Sequence, residues 1–208
     1  QKTRIQKLWL RTMSFRIEEK ILVNKNQITD FKNFYMKLGS KKLYETRKIR
    51  SLYFENENRN MFKDSIEGVL PRKKIRIRQY PDTKSNEFFI EEKISSVEGR
   101  FKKKKKIDKE TYIKFKNIGF FDNLYGHCKP ILFVEYKRSY IKLNNIRITH
   151  DTDIKYNLYS RSEVKFDQNQ IFEIKANHKT DLDDLAIKFP MNRTRFSKYC
   201  NGIELFFN

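Results

Sequence analysis

The chain is short of the residues that build the common phosphate and metal sites. It holds six Gly and four Pro, and no Gly is followed by Lys, which excludes a P-loop; a GxGxxG run is also absent. Any phosphate chemistry must therefore rest on side chains rather than on Gly-rich backbone cradles. The two cysteines, Cys128 and Cys200, form no CxxC pair. Nothing supports a disulfide, so two reduced, buried thiols are expected. His127, His150 and His178 share no metal-ligand spacing, and HExxH is missing; structural or exposed roles are expected for all three. The longest clear apolar run is Ile131-Leu132-Phe133-Val134, far below the roughly 18 residues of a membrane span. No secretory signal is visible. The chain opens on Gln1 rather than Met, so native segments outside it are expected.

Acidic residues are the scarce charge: 26 Asp+Glu stand against 46 Lys+Arg, a formal net charge of +20. Aromatics reach 14%, with 18 Phe and 11 Tyr, enough to bury a core and to exclude disorder. A length of 208 residues fits one domain, or at most two small ones. The charge calls for a polyanionic partner: nucleic acid, acidic lipid, or polyphosphate and nucleotide. Composition does not rank them, whereas the placement of charges along strands does.

Period-2 segments dominate, and alternate residues of a strand face opposite sides. FRIEEKILV (15–23) puts Glu18 and Lys20 on one face. KIRIRQY (74–80) puts Lys74, Arg76, Arg78 and Tyr80 opposite Ile75 and Ile77. EFFIEEKI (87–94) groups Glu91 with Lys93, and RFKKKKKI (100–107) groups Arg100, Lys102, Lys104 and Lys106. ILFVEYKRSYI (131–141), NIRITHD (145–151) and IFEIKA (171–176) repeat the pattern, as IRSLYF (49–54) does more weakly. About eight strands result, each with one charged and one apolar face, enough to close an antiparallel barrel. Helical spacing fills the gaps. One helix is expected over 26–38, ended by Gly39, and one after the cap Asp108, ended by Gly119. Another starts at Thr180 or Asp181 and bears Leu182 and Leu185, and a last one opens at Pro190 and ends at Gly202. Leu8 and Trp9 are expected to dock an N-terminal helix within 1–14.

If these helices coat the barrel, the apolar strand faces pack outward against them and the charged faces line the lumen. Crowded cations repel one another and are costly to desolvate, and a bound polyanion relieves both penalties. The few glutamates among them point to a divalent cation, Mg²⁺ or Mn²⁺. The competing arrangement is an open sheet whose charges meet water. The fold expected is thus α+β, an antiparallel eight-stranded β-barrel tunnel with a charged lumen, coated by helices, over 1–208 as a single domain.

KIRIRQY, FIEEKI, EYKRSYI, IRITHDTDI, FEIKA and RFSKYCNGIEL, in this order, resemble the polyphosphate polymerase domain of the vacuolar transporter chaperone complex and its bacterial relatives. These belong to the triphosphate tunnel metalloenzymes. IRSLYFENEN and DSIEGVLPRKKIRIR share the resemblance, which spans Phe15 to Leu205. It implies a metal-dependent enzyme (Mn²⁺ or Mg²⁺) that moves the γ-phosphate of ATP to a growing inorganic polyphosphate chain and releases ADP. By position it implies catalytic roles for Arg76, Arg78, Lys93, Arg138, Arg147 and Lys198. Substrate-binding roles fall to Lys20, Tyr136 and Ser197, and a metal-binding role to Glu173; the last helix, 190–202, is implied to close one end of the tunnel. Glu18 shares the face of Lys20 and is a second candidate metal ligand. The family's Lys-then-Arg strand is all lysine here after Phe101; the flanking Phe101 and Ile107 favour Lys104 and Lys106 pointing inward, binding phosphate as point charges.

Plainer roles stand beside these. Arg76 and Arg78 could line a solvent face, Glu173 could pair with Lys175, Tyr136 could be a core ring, and Lys102 to Lys106 could be a surface patch for polymer or lipid. The expected partners are ATP and inorganic polyphosphate or phosphate, without nucleic acid, in the cytoplasm or at the cytosolic face of a membrane with partner subunits outside this chain. Two other functions compete: a hydrolase of inorganic or nucleoside triphosphate on the same tunnel, and a non-catalytic polyphosphate- or RNA-binding module. A hydrolase would be favoured by more acid on the first strand, and an RNA binder by aromatics on an open basic face.

Overall fold

The computed structural model describes residues 16–83, 87–177 and 179–207, the last range without 182, 185, 186, 188 and 190. Ten strands are present: β1 (Arg16–Val23), β2 (Lys41–Glu55), β3 (Arg72–Gln79), β4 (Phe88–Ser96), β5 (Gly99–Ile107), β6 (Phe120–Asp122), β7 (Gly126–Leu143), β8 (Ile146–Leu158), β9 (Val164–Phe166) and β10 (Gln170–Asn177). Eight of them form one antiparallel path, β1-β10-β8-β7-β2-β3-β4-β5; β6 pairs with β7 and β9 with β8. The ladder does not join β1 to β5 among the described residues, yet the sheet curls far enough to bring Lys93 on β4 within electrostatic reach of Glu18 on β1 and Glu173 on β10.

Among the described residues four α-helices accompany the strands: α1 (Ile28–Lys37), α2 (Asn60–Glu67), α3 (Lys109–Ile118) and α4 (Lys198–Phe207). Asp108 caps α3 by accepting from the Thr111 amide at 2.7 Å, as its spacing foretold. Helix α2 was not legible from periodicity. Its start is fixed from outside, by Glu55 accepting from the Phe62 amide at 2.8 Å and Asn56 from the Asn60 amide at 2.9 Å.

Two apolar layers lie on the outer face of the sheet. Ile21, Val23, Ile141, Ile148, Phe172 and Ile174 pack beneath Phe31 and Tyr35 of α1, with the Phe31 and Phe172 rings 4.2 Å apart. Leu52, Phe54, Ile75 and Ile77 pack with Phe88 beneath Tyr112 and Phe115 of α3. This is the inverted arrangement read from the strands, in which helices take the apolar faces and the charged faces turn inward.

A third core lies inside the barrel. Tyr53, Leu132, Val134, Tyr136, Ile154, Tyr156 and Ile171 close around Tyr199, Cys200 and Ile203 of α4. One end of the lumen is therefore apolar and filled by a helix, and the charged half is confined to the other. An extra residue on β8, with Asp153 at φ +52°, restores the alternation between Asp151 in the charged half and Ile154 in the apolar half.

The last helix departs from the 190–202 expected. Residues 192–197 are not helical, and Thr194 donates its amide to the Lys20 carbonyl at 2.9 Å. Ser197 then accepts from the Cys200 amide at 3.4 Å, so α4 begins at Lys198. Gly202 is not its terminator. It sits within the helix, where a Cβ would come 2.6 Å from both Leu132 and Tyr156. Leu8, Trp9 and the helix expected within 1–14, together with His178, Leu182, Leu185 and Pro190, lie outside the described residues.

Candidate active site in the charged lumen

The charged half is organised around buried carboxylates, each held by cations from neighbouring strands. Directly opposed residues of antiparallel strands share a face, and Arg76 stands opposite Glu91. Glu91, 1% exposed, accepts from Arg76 Nε and Nη2 at 2.9 and 2.7 Å and from Lys102 Nζ at 2.7 Å, with Arg78 Nη1 at 3.7 Å. Burial alone would raise its pKa; the guanidiniums of Arg78 and Arg76 and the Lys102 ammonium hold it well below the usual carboxylate range. Arg76 also donates to the Tyr53 hydroxyl at 2.8 Å, and Arg78 to the Tyr136 hydroxyl at 3.1 Å.

Asp151 is the second centre. Arg138 grips it with two bonds, 2.5 and 2.6 Å, and Lys198 of α4 donates to it at 2.5 Å. Burial opposes its ionisation, and Lys198 and Arg138 override that and lower its pKa.

Glu173 is the third. It faces Lys20 across the β1–β10 ladder, and lies 3.3 Å from Lys175 Nζ and 3.8 Å from Arg138 Nη2. Against the cost of burial, Lys175, Arg138, Lys93 and Lys20 together lower its pKa. Lys175 also donates to Glu18 at 2.7 Å.

Cations remain in excess. Lys20 donates to the Phe196 carbonyl at 2.5 Å, and burial lowers its pKa, with Lys198 and Lys74 adding to that and Glu173 opposing it. Lys93 makes no hydrogen bond or ion pair among the described residues; opposite Lys74 and Lys102 by register, it is open to lumen water yet enclosed by the curled sheet, and that enclosure first and the Arg76 charge second push its ammonium down to about 7. Lys74 donates to Ser197 Oγ at 2.9 Å. Of the four buried side-chain polar atoms without a hydrogen-bond partner among the described residues, two, Arg147 Nε and Thr149 Oγ1, belong to the inner row of β8. Arg147 lies beyond the Asp151 centre, in an open cleft of about 710 Å³ that Lys142, Asn144, Asn177 and Lys179 also line.

The lumen thus gathers Lys20, Arg76, Arg78, Lys93, Tyr136, Arg138, Glu173, Ser197 and Lys198, with Glu18 and Arg147 nearer its open end. The β5 lysines divide. Lys102, Lys104 and Lys106 share the face of Lys93 and Glu91 by register. Lys104 sits 3.7 Å over the Phe89 ring, whereas Lys106 is largely exposed and pairs with Glu87 at 2.5 Å. Lys102 is the one that reaches the central carboxylate. Sequence reasoning passed over Glu91, Asp151, Lys175, Lys74 and Lys102 as site residues. The signal was the same alternation, since Glu91, Lys74 and Lys175 each stand two positions from a chosen residue.

His150 faces outward, stacked on Phe172 at 4.0 Å with Nε2 at 2.5 Å from Gln170, and His127 is exposed. Both cysteines are buried and free. Among the described residues no three His, Cys, Asp or Glu side chains gather as a metal site. Among the described residues Glu18 and Glu173, which share Lys175, are the two carboxylates that would hold a divalent cation together with substrate phosphates.

A curled antiparallel sheet with helices outside and cation-bound carboxylates within is the tunnel architecture of the triphosphate tunnel metalloenzymes. The VTC domain family matches residues 15–207, and the chain belongs to it. Among curated protein sequences none matches. Solved structures share the fold at low identity. A candidate adenylate cyclase from Bacillus halodurans is 16% identical with a TM-score of 0.61, over 94% of this chain and 98% of that one. The PH1012 protein of Pyrococcus horikoshii OT3 is 17% identical with a TM-score of 0.56, over 89% and 99%. A candidate adenylyl cyclase from Hippeastrum, described as having a dominant triphosphatase activity, is 11% identical with a TM-score of 0.54, over 92% and 96%. No helix among the described residues is long and apolar enough to cross a membrane.

Proposed function

We propose that the chain is a polyphosphate polymerase that transfers the γ-phosphate of ATP to inorganic phosphate or a polyphosphate end and releases ADP. One observation carries this reading: the carboxylates facing the charged lumen (Glu18, Glu91, Asp151 and Glu173) are all bound to cations, and no histidine faces it among the described residues. Among the described residues no carboxylate or imidazole facing the lumen is free to take a proton from water. An anionic phosphate acceptor needs no such base, because phosphoryl transfer rests on positioning and charge neutralisation.

In this reading Arg76, Arg78, Arg138 and Lys198 exchange part of their hold on Glu91 and Asp151 for phosphate oxygens, with Lys20 and Lys93 adding charge. The guanidiniums offer two parallel donors and the lysines point charges. Mg²⁺ or Mn²⁺ held by Glu173 and Glu18 with phosphate oxygens would neutralise charge on the transferred group. Ser197 and Lys198 fix the innermost phosphates at the start of α4. An acceptor oxygen bonds to the γ-phosphorus as the bond to the β–γ bridging oxygen breaks, and ADP carries that electron pair away.

Incubation with ATP and Mn²⁺ or Mg²⁺, following ADP, free phosphate and long-chain polyphosphate, tests this. ADP with long-chain product is expected. Phosphate release without chains would replace the polymerase with a triphosphatase, and no turnover with either metal would leave a polyanion-binding module.

A further inference from the structure

Beyond the phosphate-binding centre, the inner rows of four strands run out to the open mouth and end in aromatic rings. Each step of two residues advances roughly 7 Å along a strand. On β3 the row is Arg76, Arg78 and then Tyr80; on β4 it is Lys93, Glu91 and Phe89; on β7 it is Tyr136, Arg138 and Tyr140. On β2, Arg47 stands opposite Arg138 and Tyr44 opposite Tyr140. The Tyr44 and Tyr140 rings meet edge to face at 5.6 Å, and the Arg47 guanidinium carbon lies 5.6 and 5.7 Å from their centroids. Tyr80 and Phe89 form a second pair at 6.2 Å, but Lys104 already covers the Phe89 face. Tyr44 is 50% exposed, and Arg47 has no ion pair or hydrogen bond among the described residues.

An exposed tyrosine beneath a guanidinium without a carboxylate partner is poorly used by the fold itself. It offers a flat π-face, a cation and free N–H donors in one place. Those are the features that hold a heteroaromatic base, by stacking and by hydrogen bonds to its edge. The position selects among ligands, since the lip lies one strand step outside Arg138. A group on it is joined to phosphates in the lumen when both belong to one molecule.

We propose that Tyr44, Tyr140 and Arg47 form the base-binding lip for a nucleoside triphosphate whose phosphates enter the lumen first. This rests on the phosphate-binding reading of the lumen and adds to it the part of the donor that inorganic chains lack. The lip sets preference for a nucleoside triphosphate over inorganic tripolyphosphate, while the lumen arginines serve both.

Dissociation constants for ATP and for inorganic tripolyphosphate, measured by calorimetry on wild type, Tyr44→Ala and Tyr44→Phe, test it. In Tyr44→Ala the ratio of the ATP constant to the tripolyphosphate constant is expected to rise about tenfold or more, and in Tyr44→Phe it stays near wild type. Arg47→Gln, at an exposed position, is a second variant expected to raise the same ratio. A ratio unmoved in both Tyr44→Ala and Arg47→Gln overturns the lip and leaves the phosphate-binding lumen standing, as does a wild type that binds tripolyphosphate but not ATP. A wild type that binds neither overturns the lumen reading as well.

Discussion

At the scale of single residues, Lys93 stands out in the lumen as a cation with neither a hydrogen bond nor an ion pair among the described residues. Lys93 is open to lumen water but walled in by the curled sheet; that enclosure first and Arg76 second push its ammonium from 10.5 to about 7, with Glu173 and Glu18 pulling the other way. The sign follows from proton binding. Between those two values the unfolded chain holds the proton more readily, so this group's contribution to stability is present above 10.5 and is lost as pH falls through about 7. A polyanion in the lumen favours the charged ammonium and reverses the penalty. Tripolyphosphate binding is therefore expected to take up a proton just above neutrality, and affinity to weaken from about pH 6 to about pH 9. Calorimetry in buffers of different ionisation enthalpy measures that uptake. Lys93→Met separates the lysine from the ligand's own titration: the uptake must be smaller in the variant. Equal uptake in the two proteins would remove Lys93 from the binding site.

Helix α4 ties the plugged end to the charged half, through Ser197 and Lys198 at its start and Tyr199, Cys200 and Ile203 along its buried side. Gly202 lies on that side, where a Cβ would stand 2.6 Å from Leu132 and Tyr156, which are both fully buried. Gly202→Ala gains about 1 kcal/mol of helix propensity, and overpacking costs about 1–3 kcal/mol. Neither neighbour has room to retreat, so a net loss is expected, seen as a lower thermal midpoint. A midpoint equal to or above wild type would show that α4 adjusts. This helix also marks where reading the sequence failed. Alternation exposed the charged faces and hence most of the site, because a strand assigns faces by parity alone. It misplaced α4, because Gly202 resembles a terminator unless its close approach to β7 and β8 is known. It missed α2 because that helix is held at its start by Glu55 and Asn56 from outside. The resemblance implied a last helix closing one end of the tunnel, but the apolar lining it packs against was not read from alternation: Val134 and Leu132 continue the inner row of Tyr136 and Arg138, so the row changes character partway along one strand.

At the scale of the molecule, a net charge of +20 raises the question of what keeps the empty lumen intact. Cations crowded in a curled sheet repel across it, and the buried carboxylates act as internal counter-ions occupying places that phosphates would take. Asp151 is the clearest case, 1% exposed and shared by Arg138 and Lys198 from different elements. Asp151→Asn leaves Lys198 without its carboxylate and Arg138 with only the more distant Glu173, which is expected to cost the unliganded protein about 3 kcal/mol or more. For a chain of this length that is a fall of roughly 6–12 °C in thermal midpoint. The same change frees two phosphate-binding groups. Saturating tripolyphosphate should therefore raise the midpoint of Asp151→Asn by more than it raises wild type, narrowing the gap between them, because the ligand replaces the missing anion and stabilises by mass action. A purely structural Asp151 would give the opposite pattern, with the ligand shifting both proteins equally and the gap unchanged. Scanning fluorimetry with and without the ligand distinguishes the two, and it does so without depending on whether the bound chain is transferred, hydrolysed or only held.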